Sequence, residues 1–111
     1  MNNTHGECIV QTTIDHEEKA AAFARGLVEQ RIAACVTRLP KGVSVYRWQS
    51  EEIAEESEHV LIIKTHRSKL DSLEAYFEAH HPYQVPEILV FPVDKIHASY
   101  SKWLLEELGL A

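Results

Sequence analysis

The 111-residue sequence has no Cys-x-x-Cys, no glycine-rich loop and no long apolar run, and each absence removes a class of function. Its two cysteines, Cys8 and Cys35, lie far apart inside apolar, strand-like stretches. Neither a thioredoxin-type redox motif nor a structural zinc knuckle is therefore supported. The four glycines, Gly6, Gly26, Gly42 and Gly109, are isolated, which excludes a phosphate-cradling loop. Neither Gly-x-Ser-x-Gly nor His-Glu-x-x-His is present, so two common hydrolase signatures are missing. Unbroken apolar runs last a few residues, far short of the roughly 20 that span a bilayer. Basic residues are scarce as well: eleven Lys and Arg against seventeen Asp and Glu leave a formal charge of −6. Nucleic acid is a poor partner for such a chain, because non-specific affinity comes from neutralising phosphates. Met1–Glu7 has neither a basic n-region nor an apolar h-region, so no signal peptide is expected and a cytoplasmic location is.

What is present suits one folded domain. The length fits a single core of about 100–200 residues, and 45% apolar residues exclude intrinsic disorder. Residues 1–6 read as a flexible start and 7–111 as the domain. Glu7 to Thr13 is rich in β-branched residues and reads as a strand. Asp15, with Glu18 three residues on, reads as the cap of a helix whose stripe is Ala20, Phe23, Ala24, Leu27 and Val28, running to about Arg31. Ala33–Leu39 is a second strand, broken at Pro40-Lys41-Gly42, and Val43–Trp48 resumes in strand style. The polar, acidic Gln49–Glu58 reads as a hairpin connection, and Val60–Thr65 as a central strand covered on both faces. Ser68 opens a second helix with Leu70, Leu73, Phe77 and His80 on its buried stripe, and Pro82 ends it. Glu87–Val93 is a further strand with Pro92 near its end, and Ile96–Leu108 a last helix stopped by Gly109.

The order β-α-β-β-α-β plus a terminal helix predicts an α+β, ferredoxin-like plait. Two helices cover one face of such a sheet. The other face also looks apolar here, so a homo-oligomer is expected.

Seven histidines are present, five of them scattered as solvated surface groups would be. His80 and His81 differ, since they are adjacent at a helix end before a proline-rich turn, where the dipole favours a cation or metal-bound imidazole. The alternative is that His80 packs on the core stripe while His81 caps carbonyls. Cys35 reads as a small core residue, and Lys64 as a partner for a carboxylate such as Glu87. Tyr46 and Trp48 suit either a subunit interface or stacking on a ligand. Glu51, Glu52, Glu55, Glu56 and Glu58 read as a solvated loop, with weak cation binding the lesser reading. An anion-binding loop of the acylphosphatase kind is unsupported, since Thr12–His16 contains no Arg.

Six segments follow one another at a distinctive spacing: Ala33-Ala34-Cys35-Val36, Leu39-Pro40, Ser44-x-Tyr46-x-Trp48, Ile63-Lys64-Thr65, His81-Pro82-Tyr83-x-x-Pro86-Glu87 and Tyr100-x-x-Trp103-Leu104. Together they resemble the CutA divalent-cation tolerance family over nearly the whole chain. The resemblance implies a homotrimer similar in architecture to the PII signalling proteins, binding copper (Cu2+) or other divalent cations. Some members carry a metal-binding Cys near the end of the first strand, at the place of Gln11, with further ligands from the His pair matched by His80 and His81. Ser50 stands where Gly is common in the family. The expected metal set is therefore His80, His81, Gln11 and Glu87, in a protein that is not an enzyme and engages neither nucleic acid nor membrane. A PII-like sensor of a small molecule near Tyr46, Trp48 and Tyr83 is the competing expectation, and an interaction scaffold the third.

Overall fold

The structure, a computed structural model, describes residues 1–49 and 51–111, so the expectation attached to Ser50 lies outside the described residues. A short strand β1 (Asn2–Asn3) precedes β2 (Glu7–Ile14), in which Cys8, Val10, Thr12 and Ile14 are buried while Ile9, Gln11 and Thr13 point the other way. Helix α1 (Glu17–Glu29) starts from His16 and not Asp15: His16 Nδ1 accepts the Lys19 N–H at 3.3 Å. Ile14 is still held in β2 opposite His59, so the chain leaves the sheet a residue later than the Asp15–Glu18 pattern suggests. The helix also stops before the expected Arg31. That residue turns left-handed (φ 57°), and the Leu27 carbonyl accepts from both Ile32 and Ala33.

Strand β3 (Cys35–Tyr46) is continuous, where the sequence predicted a break at Pro40-Lys41-Gly42. The register runs from Leu39↔Val60 to Gly42↔Glu58, one residue more on β3 than on β4, so the Pro–Gly segment is a β-bulge. An edge position tolerates Pro40 because no neighbour needs its missing N–H, and Lys41 takes φ 56°. Strand β4 (Ala54–His66) is likewise longer than expected, since Ala54–Glu58, read as connection, pairs with Gly42–Tyr46. Cross-strand bonding overrides the weak β-propensity of Glu. Together β3 and β4 form an arm that helps stretch the molecule to 47 × 26 × 23 Å.

A short 3₁₀ turn (Arg67–Lys69) leads into α2 (Leu70–His80), with His66 Nδ1 accepting the Ser68 N–H at 3.1 Å. Strand β5 (Leu89–Pro92) completes an antiparallel sheet of order β3-β4-β2-β5, which is the ferredoxin-like plait. The first six residues, expected to be flexible, include β1, which pairs with β6 (Lys95–Ile96). Ile96 therefore belongs to a strand, and α3 spans Ala98–Glu107. Its end matches the role expected of Gly109: with φ 73°, Gly109 donates to the Glu106 carbonyl, and Leu110 donates to that of Leu105.

The core lies between α1, α2 and one sheet face, with Phe23, Leu27, Leu61, Ile63, Leu73 and Phe77 essentially buried. Phe23 and Phe77 meet edge to face at 5.0 Å, and each large side chain so buried contributes about 1.5–3 kcal/mol. Gly26 permits the closest approach: a Cβ there would stand 2.1 Å from the Tyr76 hydroxyl, which donates to the Phe23 carbonyl. On the opposite face α3 covers one end through Leu104 and Leu108 against Ala34. Elsewhere Leu89 and Phe91 remain 46% exposed.

Candidate metal and ligand site

The end of α2 is set by Pro82, which keeps the preceding residue out of the helical region. His81 accordingly turns extended (φ −67°, ψ 133°) after its N–H has bonded the Phe77 carbonyl at 2.9 Å. That turn separates the two histidines. His80, expected on the buried stripe, is exposed and rests its ring against Tyr76, which takes the buried position instead. His81 goes inward, stacked on Phe77 and edge-on to Phe23.

Both His81 ring nitrogens are engaged. Nδ1 accepts the Tyr83 N–H at 3.1 Å, and Nε2 lies 3.0 Å from Thr12 Oγ1. The hydrogen of a neutral ring is therefore assigned to Nε2, donated to Thr12. Burial lowers the proton affinity of this imidazole, against the opposing pull of the Thr13 backbone and the charges of Glu58 and Asp15. Next to it, the Tyr83 hydroxyl donates to Glu58 Oε2. Burial, that bond and the nearby negative charges push the phenol well up. Burial would also raise Glu58, but hydrogen bonds from Ser44, Tyr83 and Thr13, with His81 nearby, hold its carboxyl below the usual range.

Tyr83 and Glu58 line a cavity of about 790 Å³ between the strand ends and the Tyr83–Glu87 loop. Asp15, Glu56, Glu58 and Glu87 line it together with Tyr46 and Trp48, and among the described residues no Lys, Arg or His does. At its edge Gln11 Nε2 donates to Glu87 Oε2 at 3.3 Å, joining the open face of β2 to the loop. Glu87 is thus the partner of Gln11, whereas Lys64 donates to Thr37 Oγ1 at 3.2 Å.

Of the four expected metal ligands, the structure brings Gln11 and Glu87 together, turns His81 into the core beside Thr12, and leaves His80 outside. Among the described residues, no three His, Cys, Asp or Glu side chains form a group able to hold a metal. Sequence reasoning took Asp15 only as a helix cap and considered Glu58 only as one of the acidic run, with weak cation binding the lesser reading. Nothing in the acidic run distinguishes Glu58 from its neighbours; only its place opposite Gly42 and beneath Tyr83 does.

The family model for the CutA1 divalent ion tolerance protein matches residues 8–107. Over 103 residues the chain is 41% identical to the divalent-cation tolerance protein CutA of Thermus thermophilus, covering 93% of this chain and 99% of that one. It is 38% identical over 92 residues to the CutA homologue of Xenopus laevis, with 83% of this chain covered but 60% of the longer relative. The solved CutA structure from Synechococcus elongatus superposes with a TM-score of 0.92 at 36% identity, covering 96% and 94% of the two chains. The same protein complexed with a Bis-Tris molecule gives 0.87 at 34% identity, covering 96% and 97%. Among the described residues, no helix is long and apolar enough to cross a membrane.

Proposed function

Since the chain belongs to the CutA1 divalent ion tolerance family, we propose that it binds divalent cations, Cu2+ foremost, as a cytoplasmic homotrimer that holds the ion without catalysis. The observation that carries this reading is the 3.3 Å contact between Gln11 and Glu87 at the edge of an acidic cavity. Once the amide turns its oxygen inward, carboxylate and carbonyl offer two oxygen ligands, and exposed His80 offers the imidazole that copper favours. His81 completes the set only after releasing Thr12 and the Tyr83 N–H. Held inward, it fixes the loop that carries Glu87. The part-exposed apolar face around Ile9, Ile62, Leu89 and Phe91 supports self-association, because an apolar surface of this kind gains from leaving water.

Calorimetric titration of Cu2+ into wild type, His80→Ala/His81→Ala and Glu87→Gln tests the assignment. Binding to wild type with a loss of tenfold or more in both variants, about 1.4 kcal/mol, is expected. Equal affinity across the three refutes it.

One observation favours a second reading, a small organic cation as the ligand. The cavity offers carboxylates and two part-exposed aromatic rings, a combination that attracts ammonium groups, and a relative has been solved with the amine Bis-Tris. Quenching of tryptophan fluorescence by simple amines, reduced by Asp15→Asn, supports this reading; no quenching at millimolar amine removes it.

A further inference from the structure

A second cavity, of about 500 Å³, opens at the start of β2, the opposite end of that strand from the acidic one. Cys8, Leu70, Val90 and Pro92 give it apolar walls, and among the described residues Arg67 is the one Lys or Arg that lines it. The register sets Pro92 opposite buried Cys8 and Val90 opposite Val10, so these side chains lie on the helix side of the sheet. Leu89 and Phe91 point the other way, and association through their face leaves the cavity open.

Arg67 is held beside this cavity by its contact with Gly6. The Gly6 carbonyl accepts the Arg67 N–H at 2.8 Å, and a Cβ on Gly6 would stand 2.8 and 2.9 Å from Arg67 Cδ and Cγ. Glycine there lets the Arg67 stem lie flat against the chain. Among the described residues, no carboxylate is within ion-pair distance of the guanidinium. The neighbouring Glu7 carboxylate is already committed, accepting from the Ser101 hydroxyl at 2.6 Å and the His5 N–H at 2.8 Å. Burial pushes the Cys8 thiol up and keeps it neutral; of the two charges it feels, the Arg67 cation outweighs the Glu7 carboxylate.

We propose that this cavity binds a small aliphatic monocarboxylate, its head on Arg67 and its tail against Cys8, Leu70 and Val90. The planar guanidinium fork suits the two oxygens of one carboxylate. The tail takes apolar wall out of water, so affinity rises with its length. A second negative charge finds no second cation and meets Glu7, which disfavours phosphate. An ammonium head meets Arg67 instead of a carboxylate.

Amide NMR of the full chain during titration with hexanoate, 1-hexanol, hexylamine or inorganic phosphate tests the site. Saturable shifts at Gly6, Cys8, Leu70 and Val90 are expected with millimolar hexanoate. The other three probes should bind about tenfold more weakly or not at all. Arg67→Gln, which removes the cation, and Val90→Asp, which sets an anion in the wall, should each weaken hexanoate about tenfold or more. No hexanoate shift at these residues, unchanged affinity in either variant, or any other probe binding as tightly as hexanoate overturns the proposal.

Discussion

The two faces of the sheet are built from the same strands, and β2 shows how differently they are used. Val10, Thr12 and Ile14 are wholly buried under α1 and α2, while Ile9, Gln11 and Thr13, each one residue away, remain part-exposed. On the covered face both buried threonine hydroxyls are closed off: Thr12 meets His81, and Thr65 donates to the Ile32 carbonyl at 2.5 Å. Such pairing removes the penalty of burying a hydroxyl. On the open face polar groups remain at work, with Gln11 reaching Glu87 and Lys64 touching Cys35. The candidate chemistry thus gathers on the face and at the strand ends that the helices leave uncovered, where groups can turn to a ligand or to another copy.

The largest test of this contrast is Phe77→Ala on the covered face. A loss of about 3–5 kcal/mol in denaturant unfolding is expected, and a loss under 1 kcal/mol breaks the contrast. A smaller effect comes from pH. The folded His81 ring has its proton affinity lowered from the ordinary value of 6.5, so below that pH the unfolded chain binds more protons than the folded one. Its contribution to stability is therefore complete above about pH 6.5 and declines as pH falls towards the folded value. Unfolding midpoints measured from about pH 8 to about pH 5.5 should fall, and His81→Gln should flatten the decline over that window. An unchanged slope in the variant assigns the effect elsewhere. The smallest effect on the fold of one chain is expected from Phe91→Ser on the open face, within about 0.5 kcal/mol. The same substitution should lower the mass seen by light scattering; unaltered association would remove β5 from the interface.

Much of the fold was legible because local rules and tertiary packing agree. The alternation of β2, the Pro82 stop and the Gly109 cap each act through a neighbour or two along the chain. The arm was harder. Pro40 and Gly42 signal a turn in isolation, and a run of glutamates signals a loop, yet hydrogen bonding between the two segments turns the first into a bulge and the second into a strand. The site was legible in part. The histidine pair was named from residue type and position and Gln11 through the family resemblance, but residue type alone does not tell His80 from His81. The extended backbone imposed before Pro82 does, sending one ring to solvent and the other to Thr12 and Phe77.

The sequence alone determined the plait, its element order and the apolar character of both sheet faces, because periodicity and turn chemistry are short-range properties carried by the residues themselves. Tertiary structure alone decided that Glu58 is a buried anion under Tyr83, that Glu87 partners Gln11, and that Cys35 touches Lys64. Those juxtapositions join residues tens of positions apart, and strand register and the path of the loop, not local propensity, bring them within bonding distance.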